Sequence, residues 1–116
     1  MGLLTEKRDK LWFPPPIRIV IANDHPALTN GLRGLLEIER NLRVVGHAGN
    51  AADVIQCVLE LKPDILLLEL SMSLQRESQT SAGAGLHAWA AVKGTGCRTK
   101  AILFAAEMET QQTFEP

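Results

Sequence analysis

Apolar and polar positions along the chain form four strand-like runs separated by three helix-like stripes. The runs, rich in β-branched and aliphatic residues, occupy 17–22, 42–48, 64–70 and 101–106. Between them, apolar residues recur every three or four positions, which is typical of amphipathic helices. These stripes comprise Leu28, Leu32, Leu35 and Leu36, then Val54, Ile55, Val58 and Leu61, then Leu86, Trp89, Ala90 and Val92. The order βαβαβαβ with short connections predicts an α/β fold with a parallel sheet and right-handed crossovers.

Two segments fall outside this pattern. Residues 1–16 end in Trp-Phe-Pro-Pro-Pro, which can neither continue a helix nor join a central strand. We therefore expect a lead-in segment at 1–16 and one domain over 17–116. Residues 73–84 are small and polar without a period, which predicts an inserted loop.

The composition argues against several functional classes. The chain has 116 residues, one domain's length, and its 46% of hydrophobic residues can fill a core. Twelve basic against thirteen acidic residues and 4% aromatic residues argue against a nucleic-acid-binding surface. No apolar run is long enough to span a membrane, and the first residues lack the apolar core of a secretory signal. A cytoplasmic location is therefore expected.

Two carboxylates lie where predicted parallel strands end. Asp24 follows the first strand and Glu69 stands at the end of the third, after the run Ile65–Leu68. Ligands bind beyond the carboxyl ends of such strands, and a carboxylate there loses hydration unless a cation compensates it. The pair is typical of a hard-cation site of the Mg²⁺ type. The alternative is that each acid simply reaches solvent at its strand end.

Two longer segments carry a family resemblance. IRIVIANDHPALTNGLRGLLE and RVVGHAGNAADVIQCVLELKPDILLLELSM resemble the receiver domain of two-component response regulators, most closely its NarL/FixJ branch. The resemblance runs from Ile17 to about Ala106. It implies a flavodoxin-like (CheY-like) doubly wound sheet of order 2-1-3-4, with the family's fifth strand and helix missing. It also implies phosphoryl transfer from a histidine kinase to an aspartate, assistance by Mg²⁺ and relay to an output domain, a signalling role rather than an enzyme's.

Position by position, the resemblance is incomplete at the phosphorylation site. The family's acidic pair falls on Asn23 and Asp24, so Asp24 is expected to contact the metal and Asn23 to contribute weakly at most. The phospho-accepting aspartate falls on Glu69, and Ser71 is the position whose backbone carbonyl completes the metal site. The switch serine or threonine falls on Ala105, which has no hydroxyl. The lysine of the fifth strand has no counterpart.

These departures predict weak or lost Mg²⁺ binding and lost phosphoryl transfer, since that reaction depends on positioning and charge neutralisation. The expected role is a phosphorylation-independent interaction module, with a histidine kinase as a candidate partner. Three alternatives remain open. Glu69 could imitate a phosphorylated aspartate. The chain could be the amino-terminal fragment of a transcriptional regulator whose DNA-binding helix-turn-helix is absent. It could also be a flavodoxin-like enzyme or ligand-binding domain that shares only the fold.

Two further expectations concern the strand edge and the paired acids. Without a fifth strand, the apolar run 101–106 lies at the sheet edge, which predicts self-association through this strand or its neighbouring face. Repulsion between the carboxylates of Asp24 and Glu69 predicts that Asp24→Asn raises the melting temperature in the absence of Mg²⁺.

Overall fold

The computed structural model describes residues 14–75 and 79–105. Residues 1–13 of the predicted lead-in and the tail 106–116 therefore lie outside the described residues. The described elements are β1 (Ile17–Ala22), α1 (Pro26–Leu36), β2 (Leu42–Ala48), α2 (Ala51–Leu61), β3 (Ile65–Glu69), β4 (Met72–Ser73), β5 (Thr80–Ser81), α3 (Ala84–Lys93) and β6 (Lys100–Phe104). Within this part of the chain, no helix is both long and apolar enough to cross a lipid bilayer.

The main sheet is parallel and has the order β2-β1-β3-β6. This confirms the predicted order 2-1-3-4, with β6 as the fourth strand of the sequence pattern. The strand ends at Phe104 rather than at Ala106, which lies outside the described residues. In this order β1 and β3 are neighbours at the centre, so the residues that follow them are brought together at one edge.

Helices cover both faces of the sheet. On one face, α2 and α3 pack over the alternate side chains of β1 and β3, with a core of Val20, Ala22, Leu66 and Leu68. On the other face, α1 packs over Ile19, Ile21 and Val44. Because β3 supplies apolar side chains to both faces, its uninterrupted run of aliphatic residues is the pattern expected of a central parallel strand.

Individual residues determine where α1 begins and where α2 begins and ends. Pro26 occupies the first turn of α1, where its missing N–H costs nothing. Asn50 caps α2, its side chain accepting a hydrogen bond from the Asp53 N–H at 2.9 Å. Lys62 ends α2 in the left-handed region, with φ of 48°, before Pro63. Because the helices begin and end at these residues, the connections between helices and strands are short.

The segment 73–84, predicted to be a loop, contains regular structure at both ends. Met72–Ser73 and Thr80–Ser81 pair as two short antiparallel strands, and α3 already begins at Ala84. Strands this short are marginal by themselves. Side-chain contacts with Asp24, described below, hold them in place.

The apolar stripe of α3 also differs from the predicted one. Ala84, Ala88 and Val92 form its buried side, whereas Leu86 is 53% exposed. Small residues face the sheet because the helix approaches the backbone at the end of β3 very closely. At Gly85 a β-carbon would overlap the carbonyl oxygen of Glu69.

Candidate functional site

The residues predicted to form a site converge at the carboxyl end of the sheet. Asn23 and Asp24 follow β1 directly, and Glu69 is the last residue of β3. One ligand atom each from Asp24, His25 and Glu69 lies within 4.8 Å of the other two. The structure thus places the two acids near each other, with a histidine beside them.

Asn23 and Glu69, which we call the inner pair, are sealed from solvent. Their exposed fractions are 0% and 1%, and Asn23 Nδ2 donates to Glu69 Oε1 at 2.7 Å. The Asn23 side-chain oxygen faces the other way, accepting from the His25 N–H at 2.6 Å and from Thr29 Oγ1 at 3.2 Å. These donors fix the orientation of the amide, so its NH₂ group points at Glu69.

Asp24, His25, Ser73 and Thr80 form an outer cluster closer to solvent. Asp24 Oδ2 accepts three hydrogen bonds, from the Ser73 N–H at 2.8 Å, Ser73 Oγ at 3.0 Å and Thr80 Oγ1 at 2.9 Å. Burial raises the pKa of Asp24, but the hydrogen bonds from Thr80 and Ser73 outweigh it and leave the pKa below its usual value. Asp24 is thus held as a carboxylate.

The second oxygen of Asp24 is in a different situation. Oδ1 is buried and accepts no hydrogen bond, although His25 Nε2 lies 3.3 Å away. A buried carboxylate oxygen without a donor is costly. This oxygen is therefore well placed to bind a cation.

The remaining predicted positions, Ser71 and Ala105, follow the ends of β3 and β6. Ser71 lies half-buried in the bend between β3 and β4, and Ala105 is exposed directly after β6. The Leu70 N–H donates to the Phe104 carbonyl, and the Gly85 N–H donates to the Leu70 carbonyl, both at 2.8 Å. The backbone after Glu69 is thereby tied to β6 on one side and to α3 on the other.

Sequence reasoning did not predict the roles of Ser73, Thr80 and His25. Ser73 and Thr80 belong to an aperiodic polar segment, and nothing in the sequence tells which of its hydroxyl groups folds back onto Asp24. For His25 the signal was present, because it directly follows an acid at a strand end.

A Mg²⁺ ion fits this arrangement only in part. Mg²⁺ requires near-octahedral oxygen ligands and is usually held by one or two carboxylates. Asp24 Oδ1 meets that requirement, and Glu69 is within reach of the same point. Asn23, where the family pattern has an acid, points its NH₂ group inward. The site therefore offers fewer oxygens than the two-acid pattern would.

Comparisons with known proteins point to one family. The uncharacterized transcriptional regulatory protein YvfU of Bacillus subtilis (strain 168) is 29% identical over 87 residues, 75% of this chain and 40% of YvfU. The nitrate/nitrite response regulator protein NarP of Escherichia coli (strain K12) is 39% identical over 57 residues, 49% of this chain and 26% of NarP. The matches therefore span less than half of either relative. No protein-family model matches the chain.

A solved structure agrees with these relatives. The signal receiver domain of the response regulator NarL from Mycobacterium tuberculosis has a TM-score of 0.66 and 26% sequence identity. The match covers 84% of this chain and 73% of that domain. In its sheet order, in the acids at its strand ends and in its sequence, the chain is similar to the receiver domains of NarL-type two-component response regulators.

Proposed function

We propose that this receiver domain works through protein contacts and accepts no phosphoryl group itself. The observation that carries the proposal is the inner pair. Glu69 stands at the acceptor position, is 1% exposed and receives a hydrogen bond from Asn23 at 2.7 Å. An acceptor oxygen must approach the phosphorus atom of its donor in line, and a carboxyl group sealed in this way does not present one.

The neighbouring positions support the same conclusion. Phosphoryl transfer is driven by neutralising the charge that develops on the transferred group. Asn23 replaces a metal-binding acid with an amide, and Ala105 offers no hydroxyl to the phosphoryl oxygens. Asp24 keeps one oxygen available but commits the other to Ser73 and Thr80. We infer that Mg²⁺ binds weakly and that the domain is not an enzyme.

The proposed partner is a protein of a two-component pathway, such as a histidine kinase. The relatives found are transcriptional or nitrate/nitrite response regulators of which the chain covers the receiver-like part. An alternative follows from that coverage: the domain could be the amino-terminal part of a regulator whose DNA-binding function lies in a separate helix-turn-helix. With twelve basic and thirteen acidic residues, the chain itself has no basic excess of the kind that favours DNA binding.

Acetyl phosphate and Mg²⁺ provide the direct test of the acceptor. Intact-mass spectrometry should show no added phosphate on the wild-type chain after incubation with both. Glu69→Ala and the isosteric Glu69→Gln serve as controls for the site of any modification. A wild-type adduct that hydroxylamine removes and that both variants lack would show a working acceptor and overturn the proposal.

Self-association is the second part of the proposal. The edge of β6 away from β3 pairs with no strand among the described residues. Ile102 and Leu103 on this strand are 53% and 38% exposed. An open apolar strand edge is a template for pairing with a second chain. We therefore propose that two copies associate through β6 or the sheet face beside it.

Sedimentation velocity over a range of concentrations tests this association. Ile102→Lys should weaken it, whereas Leu86→Lys is the matched control because Leu86 on α3 has the same exposed fraction of 53%. A wild-type chain that stays monomeric at high concentration would contradict the proposal, as would equal weakening by the two variants.

A further inference from the structure

We propose that the amino end of the sheet, opposite the strand ends that carry Asp24 and Glu69, binds an organic carboxylate with an apolar body. A cavity of about 730 Å³ lies there, lined by the end of α2, by the segment that precedes β6 and by the first residues of β1, β3 and β6. Cavities that hold small molecules commonly measure about 300–1,000 Å³, so the volume suits such a ligand.

The walls of this cavity are largely aliphatic. Ile17 and Leu59 contribute side chains that are 39% and 46% exposed, and Val58, Pro63 and Ile65 extend the same lining. Exposed aliphatic surface is stabilised when an apolar molecule replaces the water that covers it. The walls therefore favour a ligand with a hydrocarbon body.

Cationic side chains from two elements and the segment between α3 and β6 border the same cavity. Lys62 follows α2, Arg98 precedes β6, and Lys100 is the first residue of β6. All three are exposed, and none of them forms an ion pair with another of the described residues. Their charges therefore remain available to an anionic ligand.

The one acidic residue of the lining is held by the neighbouring strand. Asp64 Oδ2 accepts a hydrogen bond from the Arg18 N–H at 2.8 Å, and the Asp64 N–H donates to the Arg18 carbonyl at 2.9 Å. Three cations and one acid give the lining a positive charge, although the whole chain has a formal net charge of −1. A cleft that carries one sign of charge between apolar walls concentrates ligands of the opposite sign.

The two properties together define the class of ligand. Aliphatic walls alone would take a neutral apolar molecule, and surface cations alone would take any small anion. Here both lie within one cavity, so a ligand gains most when a carboxylate contacts the cations and a hydrocarbon body covers Leu59. The guanidinium of Arg98 has the planar donor arrangement that matches a carboxylate.

Octanoate is a suitable probe, and heteronuclear NMR of the full chain measures its binding. Octanol has the same body without the charge, and acetate has the same head without the body. Octanoate should bind at least about tenfold more tightly than either, because charge-assisted hydrogen bonds and buried methylene groups both contribute. Its chemical-shift changes should cluster at 58–65 and 95–100, and added salt should weaken its binding.

Paired variants test the role of the cations. The double variant Lys62→Gln with Arg98→Gln should weaken octanoate binding by at least about tenfold. Arg33→Gln with Lys93→Gln is the matched control, because it also removes one arginine and one lysine, both exposed and both outside the cavity lining. All four side chains are exposed, so both double variants are expected to fold, and circular dichroism checks this.

Several results would overturn the proposal. Absence of octanoate binding at millimolar concentration would do so, as would binding of octanol or acetate as tight as that of octanoate. Equal weakening by the two double variants would show that only the overall charge matters. Shift changes confined to other parts of the chain would place the ligand elsewhere. Because the cavity and Glu69 lie at opposite ends of the sheet, failure here leaves the acetyl phosphate test unaffected.

Discussion

The inner pair and the outer cluster lie side by side at the same strand ends, but the carboxyl group of each has different hydrogen-bond partners. In the inner pair, Glu69 is covered completely and is matched by a neutral amide. In the outer cluster, Asp24 is matched on one oxygen by Ser73 and Thr80 and keeps the other without a hydrogen bond. The inner half thus covers its carboxyl group beside a neutral partner, whereas the outer half leaves one carboxylate oxygen facing the His25 ring without a hydrogen bond.

The chain departs from the receiver pattern at two places in this region, and the two departures have different consequences. At the position that the receiver pattern gives to an acid, Asn23 donates a hydrogen bond to the Glu69 carboxyl group, and the proposed function rests on this contact. The segment that brings Thr80 to Asp24 satisfies Oδ2 and leaves Oδ1 buried without a hydrogen bond. Variants of the inner pair should therefore change mainly the stability of the fold, and variants of the outer cluster mainly its binding and acid response.

The largest effect is expected for Asn23→Ala. The substitution removes the donor to Glu69 and the acceptor for Thr29 Oγ1, both buried, and the acceptor for the His25 N–H, which is partly buried. The free energy of unfolding should fall by about 2–3 kcal/mol, as is usual when buried polar groups lose their partners. Urea denaturation measures the change, with the exposed Asn30→Ala on α1 as the control. Equal stability of the two variants would show that the inner pair contributes nothing.

Gly85→Ala should have the next largest effect. A β-carbon at this position overlaps the backbone of Glu69 and Leu70, and backbone cannot yield as a side-chain end can. A loss of about 2 kcal/mol is expected from such overpacking. Gly83 stands two residues earlier with nothing within 4 Å of its β-carbon position, so Gly83→Ala should cost less than about 1 kcal/mol. A harmless Gly85→Ala would mean that α3 does not brace the inner pair.

The sequence predicted the architecture better than the site. Aliphatic periodicity predicts the strands and helices of a parallel sheet, and the family resemblance implies the strand order. Asp24 and Glu69 could be expected near each other because parallel strands end at one edge. Periodicity does not tell where an aperiodic segment folds back, so the contacts of Ser73 and Thr80 could not be foreseen. The orientation of the Asn23 amide depends on three partners from separate positions, and no local pattern encodes it. The exposure of Leu86 could not be predicted either. Helical spacing predicts a buried side chain, but the close approach of α3 at Gly85 places smaller residues against the sheet.

A smaller change in stability is expected for Asp24→Asn. Its sign distinguishes repulsion between the two carboxyl groups from stabilisation of Asp24 by hydrogen bonds. Repulsion from Glu69 would make this variant more stable, as expected from the sequence. The structure predicts the reverse, because Oδ2 accepts three hydrogen bonds that are stronger when the acceptor is charged. A loss of about 1 kcal/mol is expected at pH 7 without metal. The exposed Glu39→Gln controls for the change in net charge, and a rise in melting temperature for Asp24→Asn alone would restore the repulsion model.

Thr80→Val should have the smallest effect, and its signature is the pH dependence. Hydrogen bonds from Thr80 and Ser73 hold the pKa of folded Asp24 below the unfolded value of 3.8 despite burial, which acts in the opposite direction. The stability that Asp24 contributes is therefore complete above that unfolded value and is lost as the pH falls through the folded pKa. Removing the Thr80 hydroxyl raises the folded pKa, so the variant should be less stable than wild type at neutral pH by roughly 0.5–1 kcal/mol. The difference should shrink towards zero in acid, where Asp24 is protonated in both proteins. Urea denaturation at a series of pH values measures this, with Ser81→Ala in the same short strand as the control that should show no such trend. A constant difference between wild type and Thr80→Val at all pH values would show that Thr80 stabilises the hairpin by packing and not through the carboxylate of Asp24.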